Sequence, residues 1–517
     1  LAQILQNLAS LQLEKKKVKE TSLKEIFPHT YAMPIVTCVT QKNAAPVQRK
    51  PLRVGVVFSG GQASGGHNVI AGLFDALTSL CSKSRLFGFL EGPGGILKNE
   101  TKEITKELLT SYRNQGGFDL IGSGRTKIET KEQLAASIET MKHLSLDGLV
   151  IIGGDDSNTN AAILAEYFLA HGLSTKVIGV PKTIDGDLQN EFIDISFGFD
   201  TACKVYNEMI GNIAQDALSA KKYYHFIKLM GRSASHIALE CALTTHPNIT
   251  LIGEEIAAKN KTLLSIGEEI ADSIQARTAQ GKNYGVVLIP EGLIEFIPEM
   301  KLLIQELNRL LADIKNISLT QRSEIEKKLS TASVQCFRSL PEKIQTQLLL
   351  DRDPHGNVQV SQIETEKLLI DTVQMILKKR NFSGKFHALQ HFFGYEGRCS
   401  LPSNFDAKYC YALGHVAALL IEGGFTGYMS TLSPLTKPIE EWEPKGIPLT
   451  SMIILEERKG IMKPVIKKAL VDLSKKPFVS FMKNRKKWEI EDCYVNPGPI
   501  QFFGEKEITD IIPISLM

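Results

Sequence analysis

Val54-Gly55-Val56-Val57-Phe58-Ser59-Gly60-Gly61-Gln62-Ala63-Ser64-Gly65-Gly66-His67-Asn68 is the stretch whose reading decides the fold. Five mostly apolar residues have the length of a buried strand, and a glycine-rich turn follows at once. From Asn68 to Leu80 apolar residues return at helical spacing, at Val69, Ile70, Leu73 and Leu77. Strand, tight turn and helix make the first half of a βαβ unit. Four glycines in the turn let backbone N–H groups approach an anion, and the helix N-terminus adds positive potential. The spacing is not that of a dinucleotide fingerprint. It imitates a P-loop from Gly61 to Gly66, but His67 stands where that motif needs lysine. A tight turn without ligand stays open on this loop alone.

The same unit recurs outward along the chain. Gly148 to Ile152 reads as a strand, runs into Gly153-Gly154-Asp155-Asp156, and is followed by a helix from Ser157 to Ala170. Val177 to Val180 runs into Pro181-Lys182-Thr183-Ile184-Asp185-Gly186-Asp187. His225 to Leu229 leads into Met230-Gly231-Arg232, and Tyr284 to Ile289 into Pro290-Glu291-Gly292. Alternation of this kind predicts parallel sheets, whose ligands sit at the carboxyl ends of the strands. Every polar motif just named falls there. The fold class expected is therefore α/β, with two Rossmann-like three-layer domains and mainly parallel sheets.

Residues 1–50 read as an N-terminal extension, with helix-like spacing from Leu1 to Leu13 and a solvated run from Lys15 to Lys19. An α/β domain for phosphate and metal is expected over 51–190, and a second α/β domain over 191–297 and 381–434. Between them, 298–380 is rich in charge and in helical spacing (Leu303, Leu307, Leu310, Leu311, Ile314) and reads as a helical insertion. Residues 435–517 are expected to pack back on the α/β domains.

Composition narrows the function. At 517 residues the chain is long enough for about three domain-sized units. Lys and Arg number 60 against 57 Asp and Glu, so a polyanionic partner is not indicated by a net charge of +3. The basic run Lys483 to Lys487 beside Trp488 reads as a solvated face, and no nucleic acid is expected. The eight cysteines are scattered without a C-x-x-C pair, which fits free thiols in a reducing, cytoplasmic compartment. No apolar run is long enough for a membrane span. The longest, around Tyr411 to Tyr428, carries His415 and Glu422 and reads as a core helix. His387 and His391 have a zinc-like spacing for one helix face but lack the glutamate of the protease motif. Because the chain opens on Leu1 and not on Met, further residues are expected upstream.

Asp155 and Asp156 are costly at the end of a buried strand unless a cation sits nearby, or unless they merely cap the following helix. Mg2+ prefers one or two protein carboxylates completed by substrate phosphates. Moving a phosphoryl group to an alcohol needs a base, a metal and cations on the transferring oxygens. Asp185 suits the base, Asp155 the metal anchor, and Lys182 with Arg232 the charge stabilisers. An Asp-rich turn is the plainer reading of 182–187, but it does not account for so many polar motifs at strand ends.

Taken in order, Gly60-Gly61, Gly153-Gly154-Asp155, Thr183-Ile184-Asp185-Gly186-Asp187, Met230-Gly231-Arg232 and Pro290-Glu291-Gly292 resemble the phosphofructokinase family at matching spacing. ATP-using members have glycine at the positions matching Asp156 and Lys182, so the chain resembles the pyrophosphate-dependent branch. Gly65-Gly66-His67-Asn68, Gly122-Ser123-Gly124-Arg125 and Tyr395-Glu396-Gly397-Arg398 resemble its long subtype. The resemblance implies reversible transfer from pyrophosphate to fructose 6-phosphate, giving fructose 1,6-bisphosphate and phosphate, with Mg2+ as cofactor. It implies catalytic roles for Asp185, Asp156, Lys182 and Arg232, and metal binding by Asp155. Pyrophosphate would be held by Gly61, Arg125 and Lys182. The sugar phosphate would meet Thr183, Ile184, Asp185, Met230, Gly231, Arg232, Glu291, Tyr395, Glu396, Gly397 and Arg398. Lys222 and Tyr223 match positions that reach a neighbouring subunit's site, implying a homodimer. Tyr223 stands where ATP-using bacterial members have arginine, Ser64 where proline is expected, and Thr126 where aspartate is expected. The alternatives are an ATP-dependent enzyme, which expects glycine at 156 and 182, and a non-catalytic regulatory subunit, which expects loss of the base and the arginine.

Overall fold

A computed structural model describes residues 8–14, 22–40, 49–311, 322–350, 358–458 and 461–499. The strands, in chain order, are β1 (Leu8–Glu14), β2 (Ile35–Thr40), β3 (Arg53–Phe58), β4 (Arg85–Phe89), β5 (Thr101–Ile104), β6 (Gly148–Gly153), β7 (Lys176–Pro181), β8 (Tyr224–Leu229), β9 (Ile249–Thr250), β10 (Gly285–Pro290), β11 (Ala388–Phe393), β12 (Tyr428–Ser433), β13 (Glu443–Pro448), β14 (Ile453–Arg458) and β15 (Ile461–Ile466). The chain divides into two units, one of Leu1–Ala202, Glu396–Ala469 and Ile500–Met517, the other of Cys203–Tyr395 and Leu470–Pro499. Both are α/β, and across the two units parallel strand pairs outnumber antiparallel ones.

The first unit is built on a nine-stranded sheet of order β1-β2-β13-β12-β7-β6-β3-β4-β5. Its middle, from β12 to β4, is parallel, and the outer strands pair antiparallel. A parallel sheet is covered on both faces, so its strands read as continuous apolar runs. Accordingly β6 is buried at every residue, and β3 and β7 at all but the first. The helix Gly66–Leu80 buries Val69, Ile70, Leu73 and Leu77, each side chain contributing about 1.5–3 kcal/mol. It lies close along the helix Asn404–Glu422, because a Cβ on Gly72 would collide with the Tyr411 carbonyl oxygen and one on Gly414 with that of Val69. Two glycines facing across the contact permit that approach.

In the second unit β11-β8-β10-β9 form a wholly parallel sheet. Phe226, Val287 and Ile289 from its strands share one core with Ile266, Ile270 and Ile274 of the helix Leu263–Thr278 and with Leu303, Leu307, Phe337, Leu368 and Val373. The last five belong to the helices Pro298–Leu311, Thr331–Ser339 and Thr365–Lys379. The helical segment therefore completes the sheet's cover instead of forming a core of its own.

Two expectations need correction. Leu8–Glu14, inside the stretch with helical spacing, is a strand paired antiparallel with β2. The edge of β2 offers unpaired backbone groups, and pairing them outweighs a weak local helical pattern. Residues 1–7 and the run Lys15 to Lys19 lie outside the described residues. The expected assignment of 381–434 to the second domain also differs from the division seen: the chain crosses between Tyr395 and Glu396, and β12 pairs with β7 in the first unit's sheet. The C-terminal region, expected to pack back on the α/β domains, is shared between the two units. β13 and the antiparallel β14–β15 pair belong to the first unit. The helix Lys476–Ile490 belongs to the second, burying Phe478, Phe481 and Trp488 against Leu239, Ala242 and Ile252. Of the basic run of this helix, Lys483, Lys486 and Lys487 are exposed, while Arg485 lies over the Phe481 ring and pairs with Glu255 at 2.7 Å.

His391 lies in strand β11, not on a helix, and its Nε2 is 2.9 Å from Nδ1 of His225 on the paired strand β8. His387 precedes the strand, and four residues along an extended chain span about 13 Å, too far for one metal. Among the described residues no helix is long and apolar enough to cross a membrane, and all eight cysteines are free.

Candidate active site

In the first unit the functional groups gather at the carboxyl ends of β3, β6 and β7. The turn after β3 is held by Ser123, whose hydroxyl donates to the Gly60 carbonyl at 2.6 Å, and by the Gly60 N–H, which donates to the Gly124 carbonyl at 2.9 Å. Gly60 has φ +89, a left-handed conformation open to glycine. A Cβ on it would lie 3.3 Å from Lys182 Nζ, and one on Gly61 would collide with Arg398 Nη2 and approach Arg125 Nη2 to 3.8 Å. Three cations thus converge on two glycines. Arg398 also donates through Nη2 to Gln62 Oε1 at 2.5 Å.

Lys182 is buried, and its N–H donates to the Gly153 carbonyl at 2.9 Å. Burial is the main cause that brings its ammonium down to about 8; Arg398 and Arg125 push the same way, against Asp185 and Asp155. A buried cation beside two more cations is unfavourable by itself, and a polyanion in their midst would relieve it.

Asp155 and Asp156 open the helix Asp155–Ala170, two residues earlier than Ser157, so both lie in its first turn. Asn158 secures the preceding turn, its amide donating to the Gly153 and Gly154 carbonyls at 2.6 and 2.9 Å. Asp156 is about half exposed and pairs with Lys127 at 3.2 Å. Burial raises the Asp155 carboxyl, aided by Asp156 and Asp187 and opposed by Lys468. Asp187 is raised for the same first cause, with Asp185 adding to it. Lys468 Nζ lies 3.7 Å from Asp155 and 3.4 Å from Asp187. On the loop after β7, the Asp185 N–H donates to Thr183 Oγ1 at 3.0 Å, and the Asp185 side chain is partly exposed. Ile184 is buried beneath.

No group of three or more His, Cys, Asp or Glu among the described residues is arranged to hold a metal alone. One or two carboxylates with the remaining oxygens supplied by substrate and water is the donor set Mg2+ accepts, so Asp155 with its neighbour Asp187 fits such an ion.

In the second unit the loops after β8, β10 and β11 come together. Gly231 (φ +136) donates its N–H to Glu291 Oε2 at 2.9 Å, and the Gly292 N–H reaches the Gly231 carbonyl at 3.2 Å. The Met230 N–H donates to the Phe393 carbonyl at 2.9 Å, and Tyr206 holds the Gly394 carbonyl at 2.6 Å. Glu291 is buried, while Arg232 and Tyr395 are exposed. Glu254 accepts from the Ser235 N–H at 3.1 Å and fixes the far end of the 230–235 loop. Tyr395-Glu396-Gly397-Arg398 straddles the two units, with Tyr395 in the second and Arg398 beside Gln62 in the first.

Lys222 and Tyr223 are exposed at the opposite end of β8 from Met230, about 25 Å away along an extended strand. The second unit does not bring them to the Met230–Glu291 loops. Sequence reasoning overlooked Lys468, Asn158 and Lys127. Asn158 was the readable one, since an amide three residues after a Gly-Asp turn can tie that turn; the two lysines carry no local signal.

The fold and site define a class: an α/β protein with a cationic glycine turn beside a carboxylate cluster, the equipment of phosphoryl transfer. More narrowly, the chain belongs to the phosphofructokinase family, whose pattern matches residues 53–335. It is 54% identical to the pyrophosphate–fructose 6-phosphate 1-phosphotransferase of Treponema pallidum, covering 95% of this chain and 88% of that protein. To the protein of the same name from Porphyromonas gingivalis it is 52% identical, over 97% of this chain and 94% of the other. Among solved structures, a pyrophosphate-dependent phosphofructokinase from Marinobacter aquaeolei is similar with a TM-score of 0.56 at 15% identity, covering 88% of this chain and 98% of that one. At that identity the likeness concerns the fold.

Proposed function

We propose that the chain catalyses reversible, Mg2+-dependent transfer of a phosphoryl group from pyrophosphate to the 1-hydroxyl of fructose 6-phosphate, giving fructose 1,6-bisphosphate and phosphate. The observation that carries this is the convergence of Lys182, Arg125 and Arg398 on Gly60-Gly61, next to Asp155 and Asp187. Three cations suit a small polyanion, and the adjoining carboxylates suit the metal that accompanies it.

Gly61, Arg125 and Lys182 bind pyrophosphate. Asp155 holds Mg2+, which when bound neutralises charge on the phosphates. Asp185 accepts the proton of the sugar hydroxyl from its partly exposed position, with Thr183 and Ile184 shaping the loop. Asp156 puts a negative charge at the mouth of the site, where a nucleotide's further phosphate would be repelled. Lys182 and Arg232 compensate charge that develops during transfer. Met230, Gly231, Arg232 and Glu291, with Tyr395 through Arg398, bind the sugar phosphate. Lys222 and Tyr223 serve a second copy of the chain, in a cytoplasmic homodimer. Donor and product phosphates are similar in energy, so the reaction runs both ways.

The test supplies fructose 6-phosphate and Mg2+ with either pyrophosphate or ATP and measures fructose 1,6-bisphosphate. Turnover with pyrophosphate only, and its phosphate-driven reversal, is the expected result. Turnover with ATP only, or silence with both, would overturn the proposal.

A further inference from the structure

Lys468 is held more firmly than its place after a hairpin suggests. Two residues before it, the Ile466 N–H donates to Thr159 Oγ1 at 3.1 Å, and that hydroxyl donates in turn to the Asp155 carbonyl at 2.9 Å. One residue after it, the Ala469 N–H donates to the Asp187 carbonyl at 2.7 Å. The backbone is thus pinned on both sides to the elements that carry Asp155 and Asp187. Its side chain, about one-third exposed, sets Nζ between the two carboxylates. Of the other charges around this point, Asp156 pairs with Lys127, Asp185 adds a negative charge beside Asp187, and Lys182 faces the glycine turn with Arg125 and Arg398.

We propose that Lys468 is a positioning residue, a tethered ammonium that holds the cation place between Asp155 and Asp187 until metal and pyrophosphate arrive together. This rests on the reading of Asp155 as the metal's carboxylate. A divalent ion entering alone must displace an ammonium tethered through a pinned backbone, and that ammonium then has fewer anions to pair with. Pyrophosphate brings its own negative oxygens, so the displaced ammonium re-pairs with the phosphate and the exchange becomes favourable. The consequence is order: metal binds weakly by itself and tightly with the donor.

Mn2+ alone is the probe, titrated into the full chain without pyrophosphate while the free ion is followed by electron paramagnetic resonance. Lys468→Met should bind Mn2+ about tenfold more tightly than the parent, Lys468→Arg should match the parent, and adding Asp155→Asn to Lys468→Met should abolish the gain. Lys468→Gln, equally neutral but polar, should behave as the methionine variant does and guards against a folding defect in either. Equal or weaker Mn2+ affinity in both neutral variants would overturn the role of Lys468. Pyrophosphate-driven turnover is measured separately: turnover present with Mn2+ affinity unchanged removes Lys468 and leaves the reaction standing. Turnover absent with Mn2+ affinity raised removes the reaction and keeps the competition for the carboxylates.

Discussion

Replacing Lys182 by methionine should separate what this residue does for the donor from what it costs the fold. The side chain is buried and its ammonium sits at about 8 instead of 10.5, chiefly because burial disfavours the charge. The folded value is the lower one, so between about 8 and 10.5 the unfolded chain binds the extra proton and stability rises with pH. Below about 8 the full cost is present, roughly 3 kcal/mol at 1.36 kcal/mol per pH unit. Lys182→Met should therefore raise the melting temperature of the ligand-free protein near pH 7, and the gain should shrink as pH rises past 8. On the donor side, a charge-assisted contact contributes about 1.5–3 kcal/mol. Its loss should lower kcat/KM for pyrophosphate by about ten- to hundredfold. In the parent, kcat/KM for pyrophosphate should fall as pH rises through about 8, as the lysine loses its proton, over and above any trend from pyrophosphate itself. Rates from pH 6.5 to 9.5 for both proteins, with melting curves in the same buffers, read all three effects. An unchanged bend in the variant's profile, or a lower melting temperature at pH 7, would refute this account of Lys182.

Asp185→Asn should keep pyrophosphate and fructose 6-phosphate binding while turnover falls by about two or more orders of magnitude, and near-normal turnover would remove the base assignment. Asp156→Gly removes a half-exposed carboxylate paired with Lys127, so the variant should gain measurable ATP-driven turnover; kinetics with both donors tell whether this charge discriminates. Gly72→Ala places a methyl group against the Tyr411 carbonyl between two helices. Overpacking should outweigh the better helix propensity of alanine and destabilise by about 1–2 kcal/mol in urea unfolding; a stabilised variant would show that the helices separate freely.

Much of this architecture was legible because it is local. Apolar runs of strand length ending in Gly, Asp, Lys or Arg mark buried parallel strands and the loops at their carboxyl ends, and β3, β6, β7, β8 and β10 all lie where those runs fall. The acids and Lys182 were readable for the same reason, since each follows its strand directly. The start of the helix at Asp155 was less so, because a helix's first turn and a polar loop have the same composition.

What the sequence by itself determined is the succession of βα units and the residue types delivered to their ends, because periodicity of burial and turn chemistry act over a few neighbours. Tertiary structure alone decided which distant residues join them. Arg398 meets Gln62 and Lys468 meets Asp155 and Asp187 across long separations, by contacts no local pattern encodes. The strand at Leu8–Glu14 depends on the open edge of β2, and the helices after Pro298 close over the β8–β10 sheet because they share its core. Hydrophobic burial and backbone pairing are satisfied by whatever surface the folded chain presents, and that surface exists only once the whole chain has folded.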